Sequence, residues 1–399
     1  MTVNTSNNSA ALPLLALAVG AFGIGTTEFA PMGMLPTIAE GVHASIPKAG
    51  LLVSAYGIGV LIAAPIMTLL LSRWPWRKAL IASMAIFTLG NLLSALAPNY
   101  VSLLVARIVT SFNHGAFFGL GAVVAASLVP VEKQASAVAA MFMGLTIANI
   151  GGVPAATWLG QTVGWRESFA AIAVLGIIAM ASLRFALPEG RAGSQPNVKA
   201  ELQVLTKPDV LVAMLTTILS SSAMFSLYTY INPALSTLGK ASPDFVAGML
   251  VLIGIGFTIG NAVGGKFADR SIDAALITFL LLVIASMFAF PFLVMSKVGT
   301  AAALLAWGAA TFAVVPPLQM RVMRAASGAP GLASSVNIGA FNLGNALGAA
   351  LGGAVLSAGF GYAAVSIVGG VTASLALILV LVQLKSSQRR PQVQPQACS

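Results

Sequence analysis

Apolar runs and short polar breaks alternate along the whole chain. A helix of about 20 apolar residues crosses the hydrocarbon of a bilayer. Twelve such runs recur: 14–35, 50–71, 79–97, 101–128, 135–159 and 168–187, then 210–231, 245–267, 274–295, 300–319, 332–357 and 362–384. One break is long. Segment 188–208 is polar, carries Gly, Pro and Ser, and holds Glu189, Arg191, Lys199, Glu201 and Lys207. The pattern predicts an all-α membrane protein in which a linker, 188–208, separates six helices within 1–187 from six within 209–384, followed by a polar tail, 385–399.

The basic residues orient this arrangement. Of 20 Lys and Arg, 15 fall in the tail and in the loops that follow even-numbered helices, and 4 fall in the opposite loops. The twentieth, Arg107, lies inside a run. Basic loops stay in the cytoplasm, so both termini and the linker are expected there. Residues 1–11 hold no Lys or Arg, and the first run lacks a signal-peptide layout, so it is expected to be retained as a helix.

Composition excludes the soluble classes. The chain is 58% hydrophobic and 8% charged, where soluble domains carry about 25% charged residues. The net charge of +10 is scattered through loops rather than gathered in a stripe, so no nucleic-acid partner is read from it. A single cysteine, Cys398, makes no internal disulfide and no metal cluster. No phosphate-binding Gly-Lys-Ser/Thr loop or nucleophile–base pair stands out, so an enzyme, a cofactor and ATP drive are not expected.

Glu28 is the one acidic residue inside these runs. It lies about 21 Å along its helix from Leu14, a depth at which a carboxyl is costly and marks a functional site by default. Arg107 lies about 9 Å inside the fourth helix and Glu28 about 10 Å inside the first, counted from the same membrane face. A Glu28–Arg107 pair would relieve the burial of both, as a switchable proton site or as a static ion pair. Burial and a neighbouring guanidinium act on a carboxyl's proton affinity in opposite senses, a balance a carrier can switch.

His114 follows Arg107 by two turns on the same helix face. It is a proton-relay candidate, or a neutral imidazole bonded to a neighbouring helix. Amides and hydroxyls inside the runs, Asn149, Ser222 and Asn337 among them, offer either cavity lining or interhelical bonds. Tyr228 is a cavity candidate; Tyr230, Trp158 and Trp165 suit the interfacial aromatic belt. Gly344, Gly348 and Gly352 offer either a sliding surface or static close packing.

Together these residues carry a resemblance. Gly25-Thr26-Thr27-Glu28-Phe29 with Met32-Gly33 and Leu35-Pro36 resembles the first helix of the major facilitator superfamily, in its drug:proton antiporter-1 group of the arabinose-efflux-permease type. Arg107 with His114-Gly115-Ala116-Phe117-Phe118-Gly119 resembles that group's fourth helix. Asn149-Ile150-Gly151-Gly152-Val153-Pro154, then Gly164-Trp165-Arg166 and Phe169, resembles its fifth-helix antiporter motif and the loop beyond. The loop after helix two departs from the family's Gly-x-x-x-Asp-Arg: it reads Leu71-Ser72-Arg73-Trp74-Pro75-Trp76-Arg77-Lys78. The equivalent after helix eight is intact, Gly265-Lys266-Phe267-Ala268-Asp269-Arg270.

The resemblance implies two six-helix bundles around a cavity lined mainly by helices 1, 4, 7 and 10. It implies a multi-pass monomer in a bacterial inner membrane that works by alternating access. Its partners are then a small-molecule substrate, protons and the lipid bilayer. Proton coupling falls to Glu28, Arg107 and His114. Phe29, Phe118, Asn149, Ser222, Tyr228 and Asn337 are the expected cavity residues, and Arg73, Arg77, Asp269 and Arg270 the gating motif, with the ion pair centred on Asp269. Efflux of drugs in exchange for protons is the leading expectation. Export of sugars or other metabolites is the nearest rival, and a passive channel the more distant one.

Overall fold

A computed structural model describes residues 8–44, 46–189 and 198–389. Arg191, Arg390 and Cys398 lie outside the described residues. Twelve helices are long and apolar enough to cross a membrane, and the described residues form no strand. We label them α1 Ala11–Gly33, α2 Lys48–Leu71, α3 Trp76–Ala95, α4 Tyr100–Ser127, α5 Val131–Thr162, α6 Trp165–Ala186, α7 Pro208–Thr229, α8 Phe245–Arg270, α9 Ile272–Leu293, α10 Lys297–Ala325, α11 Pro330–Ser357 and α12 Gly361–Lys385.

In lipid every backbone polar group must be satisfied within the segment, which helices do. Their starts are set by short polar side chains that accept from free N–H groups. Asn99 and Ser102 form a reciprocal capping box at α4, with Ser102 N donating to Asn99 Oδ1 at 3.0 Å. Ser271 and Ser296 cap α9 and α10 in the same way.

Two helices run longer than the apolar pattern predicts. The fifth run, expected at 135–159, begins with a 3-10 turn at Val131–Lys133 and contains a π turn at Ala148–Gly152. The tenth, expected at 300–319, extends to Ala325 and breaks at Val314, just before Pro316 and Pro317. Proline supplies no N–H and crowds the preceding turn, so the axis is interrupted there. Within the linker, Val198–Leu205 forms a short helix. Its Val204 and Leu205 pack on Val210, Val322 and Ala326 at the ends of α7 and α10.

The packing repeats with a period of six helices. In the first half α1 meets α5 and α6, α2 meets α4, and α3 meets α4 and α6. In the second half α7 meets α11 and α12, α8 meets α10, and α9 meets α10 and α12. Between the halves, α5 meets α8 and α2 meets α11, which is again one contact and its repeat.

Gly344, Gly348 and Gly352 face α7, against backbone and side-chain atoms of Ile218, Ser221, Ser222 and Tyr230. They form a close-packed seam inside the second half rather than a surface between halves. Between halves, the missing Cβ of Gly119 on α4 makes room for Ser335 of α11, and that of Gly265 on α8 for Ala135 and Ala139 of α5.

A Gly119→Val variant is expected to leave each half folded but to oppose closure of this seam by about 1–3 kcal/mol. The check is disulfide formation in a Thr68→Cys/Ser335→Cys pair, with Cys398 replaced. Cross-linking should fall several-fold, and an unchanged yield would contradict the reading.

Candidate functional site

The two halves enclose a cavity of about 820 Å³, its mouth included. That is the size range of small-molecule sites. The first half contributes Glu28 and Phe29 from α1, His114 and Phe118 from α4, and Phe142, Leu145 and Asn149 from α5. The second half contributes Ser220, Ser221, Phe225 and Tyr228 from α7, Phe257 from α8, and Thr311, Phe312 and Leu318 from α10. Ile338, Phe341, Asn342 and Asn345 of α11 complete the wall, at the helical spacing that puts them on one face. Helices 5, 8 and 11 therefore line the cavity alongside 1, 4, 7 and 10.

Of the six expected cavity residues, Phe29, Phe118, Asn149 and Tyr228 line it, and Ser222 and Asn337 do not. One residue step turns a helix by about 100°, so Ser222 points into the packed interior while Ser220 and Ser221 face the cavity. Asn337 is buried and donates to Gln319 Oε1 at 2.7 Å. Trp165 also departs from its expected interfacial place: it is buried beside Gly41 and Phe169.

The described arrangement contains no Glu28–Arg107 ion pair. Arg107 is 1% exposed, and its Nη1 donates to Thr27 Oγ1 at 3.2 Å. Thr27 in turn donates to Asn91 Oδ1 at 2.6 Å, which ties the guanidinium to α1 and α3. Arg107 Cζ lies 4.4 Å from the Tyr56 ring centre and 5.9 Å from that of Phe169. Aromatic faces stabilise a desolvated cation by about 2 kcal/mol. Even so, Nε and Nη2 of Arg107 have no hydrogen-bond partner. Glu28, one residue beyond Thr27, turns to the cavity and is only half-buried. Thr27, not Glu28, takes the position on α1 that faces Arg107.

Tyr56 is the residue that sequence reasoning missed. Its ring stacks under Arg107, and its hydroxyl lies 3.0 Å from His114 Nδ1. The available signal was its position: it is the one tyrosine inside the second apolar run. On the opposite wall Tyr228, Phe257 and Phe312 form an aromatic platform backed by Trp307. Among the described residues no group of His, Cys, Asp and Glu could hold a metal ion.

Hydrogen bonds join the two halves toward the end bearing the even-numbered loops. Asp269, at the end of α8, accepts from Ala135 N at 2.8 Å, from Ser136 N at 3.2 Å and from the Ser136 hydroxyl. Asn261 Nδ2 donates to Ala139 O at 2.6 Å along the same α5–α8 seam. The α2–α11 seam carries Thr68 Oγ1 donating to Ser335 Oγ at 2.5 Å.

The expected gating ion pair is thus replaced by a carboxylate on a helix N-terminus, which already presents partial positive charge. Arg73 and Arg270 are exposed and form no ion pair among the described residues. Arg77 pairs with Glu189, at the start of the linker, at 3.2 Å.

The Major Facilitator Superfamily description matches residues 17–337. The chain belongs to the major facilitator superfamily.

Within this superfamily the chain is 65% identical over 380 residues to the inner membrane transport protein YdhP of Escherichia coli K12, covering 95% of this chain and 97% of that one. It is 31% identical over 341 residues to a chloramphenicol resistance protein of Streptomyces lividans, covering 84% and 87%. The E. coli fucose:proton symporter FucP superposes with a TM-score of 0.75 at 16% identity, covering 94% of this chain and 99% of that one. That likeness shows the fold alone. The protein is a major facilitator transporter of small molecules in a membrane, not an enzyme.

Asp269→Asn keeps the acceptor but removes the charge, so closure of the even-loop end should weaken by about 1 kcal/mol. A Phe142→Cys reporter in the cavity should then react several times faster with a membrane-impermeant thiol reagent added from that side. An unchanged rate would show that Asp269 does not hold the end closed.

Proposed function

We propose that this transporter exports small apolar molecules, drugs among them, in exchange for protons. Glu28 is the proton carrier. The observation that carries the reading is the placement of this carboxyl, which is the one acidic group lining the cavity. It stands beside a buried arginine with two free donors. A protonated Glu28 needs no counter-charge, as in the arrangement described. A deprotonated Glu28 is drawn toward the free donors of Arg107, which moves α1 relative to α4. Protonation and substrate then favour different arrangements of the same cavity.

The count of basic residues supports cytoplasmic termini and linker. On that orientation the closed, even-loop end is cytoplasmic and the cavity faces outward, ready to take a proton from outside. The domain division at 188–208 follows the same logic, with the two halves rocking about the central site. The relative named as an inner membrane transport protein supports a bacterial inner membrane location. The relative named for chloramphenicol resistance supports drug efflux.

One inward proton is worth about 2.3 kcal/mol per 100 mV, plus the pH difference. Exchange for an uncharged substrate uses both terms, whereas exchange for a monovalent cation uses the pH term alone. The amides Asn149, Asn342 and Asn345 in the wall favour a second reading, export of a polar metabolite. A substrate panel in pH-jump proteoliposomes separates the two.

Glu28→Gln is expected to abolish dependence of transport on the proton gradient while leaving downhill exchange of bound substrate. The measurement is substrate flux in proteoliposomes with and without an imposed pH difference. Wild-type dependence on that difference would remove Glu28 from the coupling role.

A further inference from the structure

We infer that Tyr56 locks His114 as a neutral hydrogen-bond donor aimed into the cavity, so the site takes molecules that carry an uncharged acceptor oxygen or nitrogen on an apolar, flat body. The argument is one of proton placement. Tyr56 is 2% exposed, and its hydroxyl has one partner among the described residues, His114 Nδ1 at 3.0 Å. Two placements satisfy that contact. If Nδ1–H donates, the phenol's own proton is left in a buried site without an acceptor. If the phenol donates to Nδ1, every group is satisfied and the ring proton resides on Nε2. A guanidinium 4.4 Å over the ring face draws electron density from the phenol and makes it the better donor.

In that tautomer Nδ1 holds a lone pair and Nε2–H is a donor. His114 lines the cavity, and its hydrogen bond among the described residues is made at Nδ1, which leaves Nε2 for a cavity ligand. Phe118 packs on the imidazole with ring centres 5.1 Å apart, which fixes the direction of the N–H. The titratable and charged groups around it come from four helices. They are Arg107 on α4 itself, Glu28 on α1, Tyr56 on α2 and Tyr228 on α7. The cavity faces of α5, α8, α10 and α11 present none. A ligand acceptor is therefore the partner that Nε2–H lacks. Across the cavity, Phe257 and Phe312 stack at 4.1 Å and give the rest of the molecule an aromatic wall. The tautomer stands on its own; the ligand class rests on the cavity being the transport site.

The chain has two histidines, so His43→Asn leaves His114 as the single imidazole signal. The experiment is a long-range proton–nitrogen correlation spectrum of the full chain, labelled with nitrogen-15 histidine. Expected is a neutral ring with its proton on Nε2 across roughly pH 5 to 8, the range in which a free histidine changes charge. Tyr56→Phe should yield mixed tautomers or a titrating ring. A proton on Nδ1, or conversion to imidazolium in that range, overturns the lock, and the wild-type spectrum decides this even if the variant does not fold.

The ligand class is read from the same Nε2 signal during titration with chloramphenicol and other uncharged aromatic acceptors, against tetraphenylphosphonium, which has no acceptor. Expected is a shift with acceptor-bearing compounds alone. A shift with both kinds, or with neither, overturns the ligand class. Failure of proton coupling in Glu28→Gln is a separate result, because the tautomer needs no transport to be observed.

Discussion

Arg107 is a full charge buried in the bundle without an ion pair, and much of the first half is arranged around that fact. Placing a charge in hydrocarbon is among the costliest steps available to a membrane protein. The offset comes from four other helices. Thr27 of α1 accepts a hydrogen bond, Asn91 of α3 anchors Thr27, and the rings of Tyr56 on α2 and Phe169 on α6 face the guanidinium. Five of six helices in this half are therefore tied to one side chain. The compensation is incomplete, because two of its nitrogen atoms lack acceptors. An incompletely satisfied buried charge is a standing attraction for any anion that can reach it. The nearest acid in sequence to its anchor is Glu28, which is adjacent to Thr27 and lines the cavity.

The two halves repeat in packing but not in chemistry. Their mutual seams, α5–α8 and α2–α11, are related by the six-helix repeat. The first is closed by a carboxylate on a helix N-terminus, and the second by two hydroxyls. This difference follows from the chain itself. The loop after α8 keeps Asp269, whereas the loop after α2 has only bases around Arg73 and Arg77. Charge is concentrated in one seam, and α11 also packs on α4 far more than α10 does on α5, so both the chemistry and the packing between the halves are asymmetric.

The fold was legible because the bilayer imposes it. Twelve apolar runs of sufficient length have one regular solution in lipid, and the helix count and the central break follow from that. The ends were less legible where local chemistry overrides hydropathy, as at Pro316–Pro317 and in the π turn around Asn149. The site was legible in depth but not in rotation. Rise per residue put Glu28 and Arg107 at one height, yet only tertiary packing decides that Thr27 faces Arg107 and Glu28 faces the cavity. Ser222 and Asn337 missed the cavity by the same error, a turn of one residue. Tyr56 offers only a weak sequence signal, its place as the one tyrosine in the second run, and its role shows in the contact of its hydroxyl with His114 Nδ1.

The halves also divide the labour of the cavity. The first supplies every charge near it: Glu28 in its wall and Arg107 behind. The second supplies no charge, only aromatic and aliphatic surface, hydroxyls and the amides of α11, while Phe29, Phe118, Phe142 and Asn149 add aromatic and amide surface from the first. A molecule lying between them touches both, so a change in the first half alters what the second half can hold. Coupling on the proposed reading needs no wire through the protein, because proton and substrate share one enclosed space. What it needs is a difference in how each arrangement accommodates a charged Glu28. On that reading the unpartnered donors of Arg107 supply the difference, since they would donate to an anionic Glu28. On the proposed reading, the charge that is costliest to bury is also the one that makes the position of α1 depend on a proton.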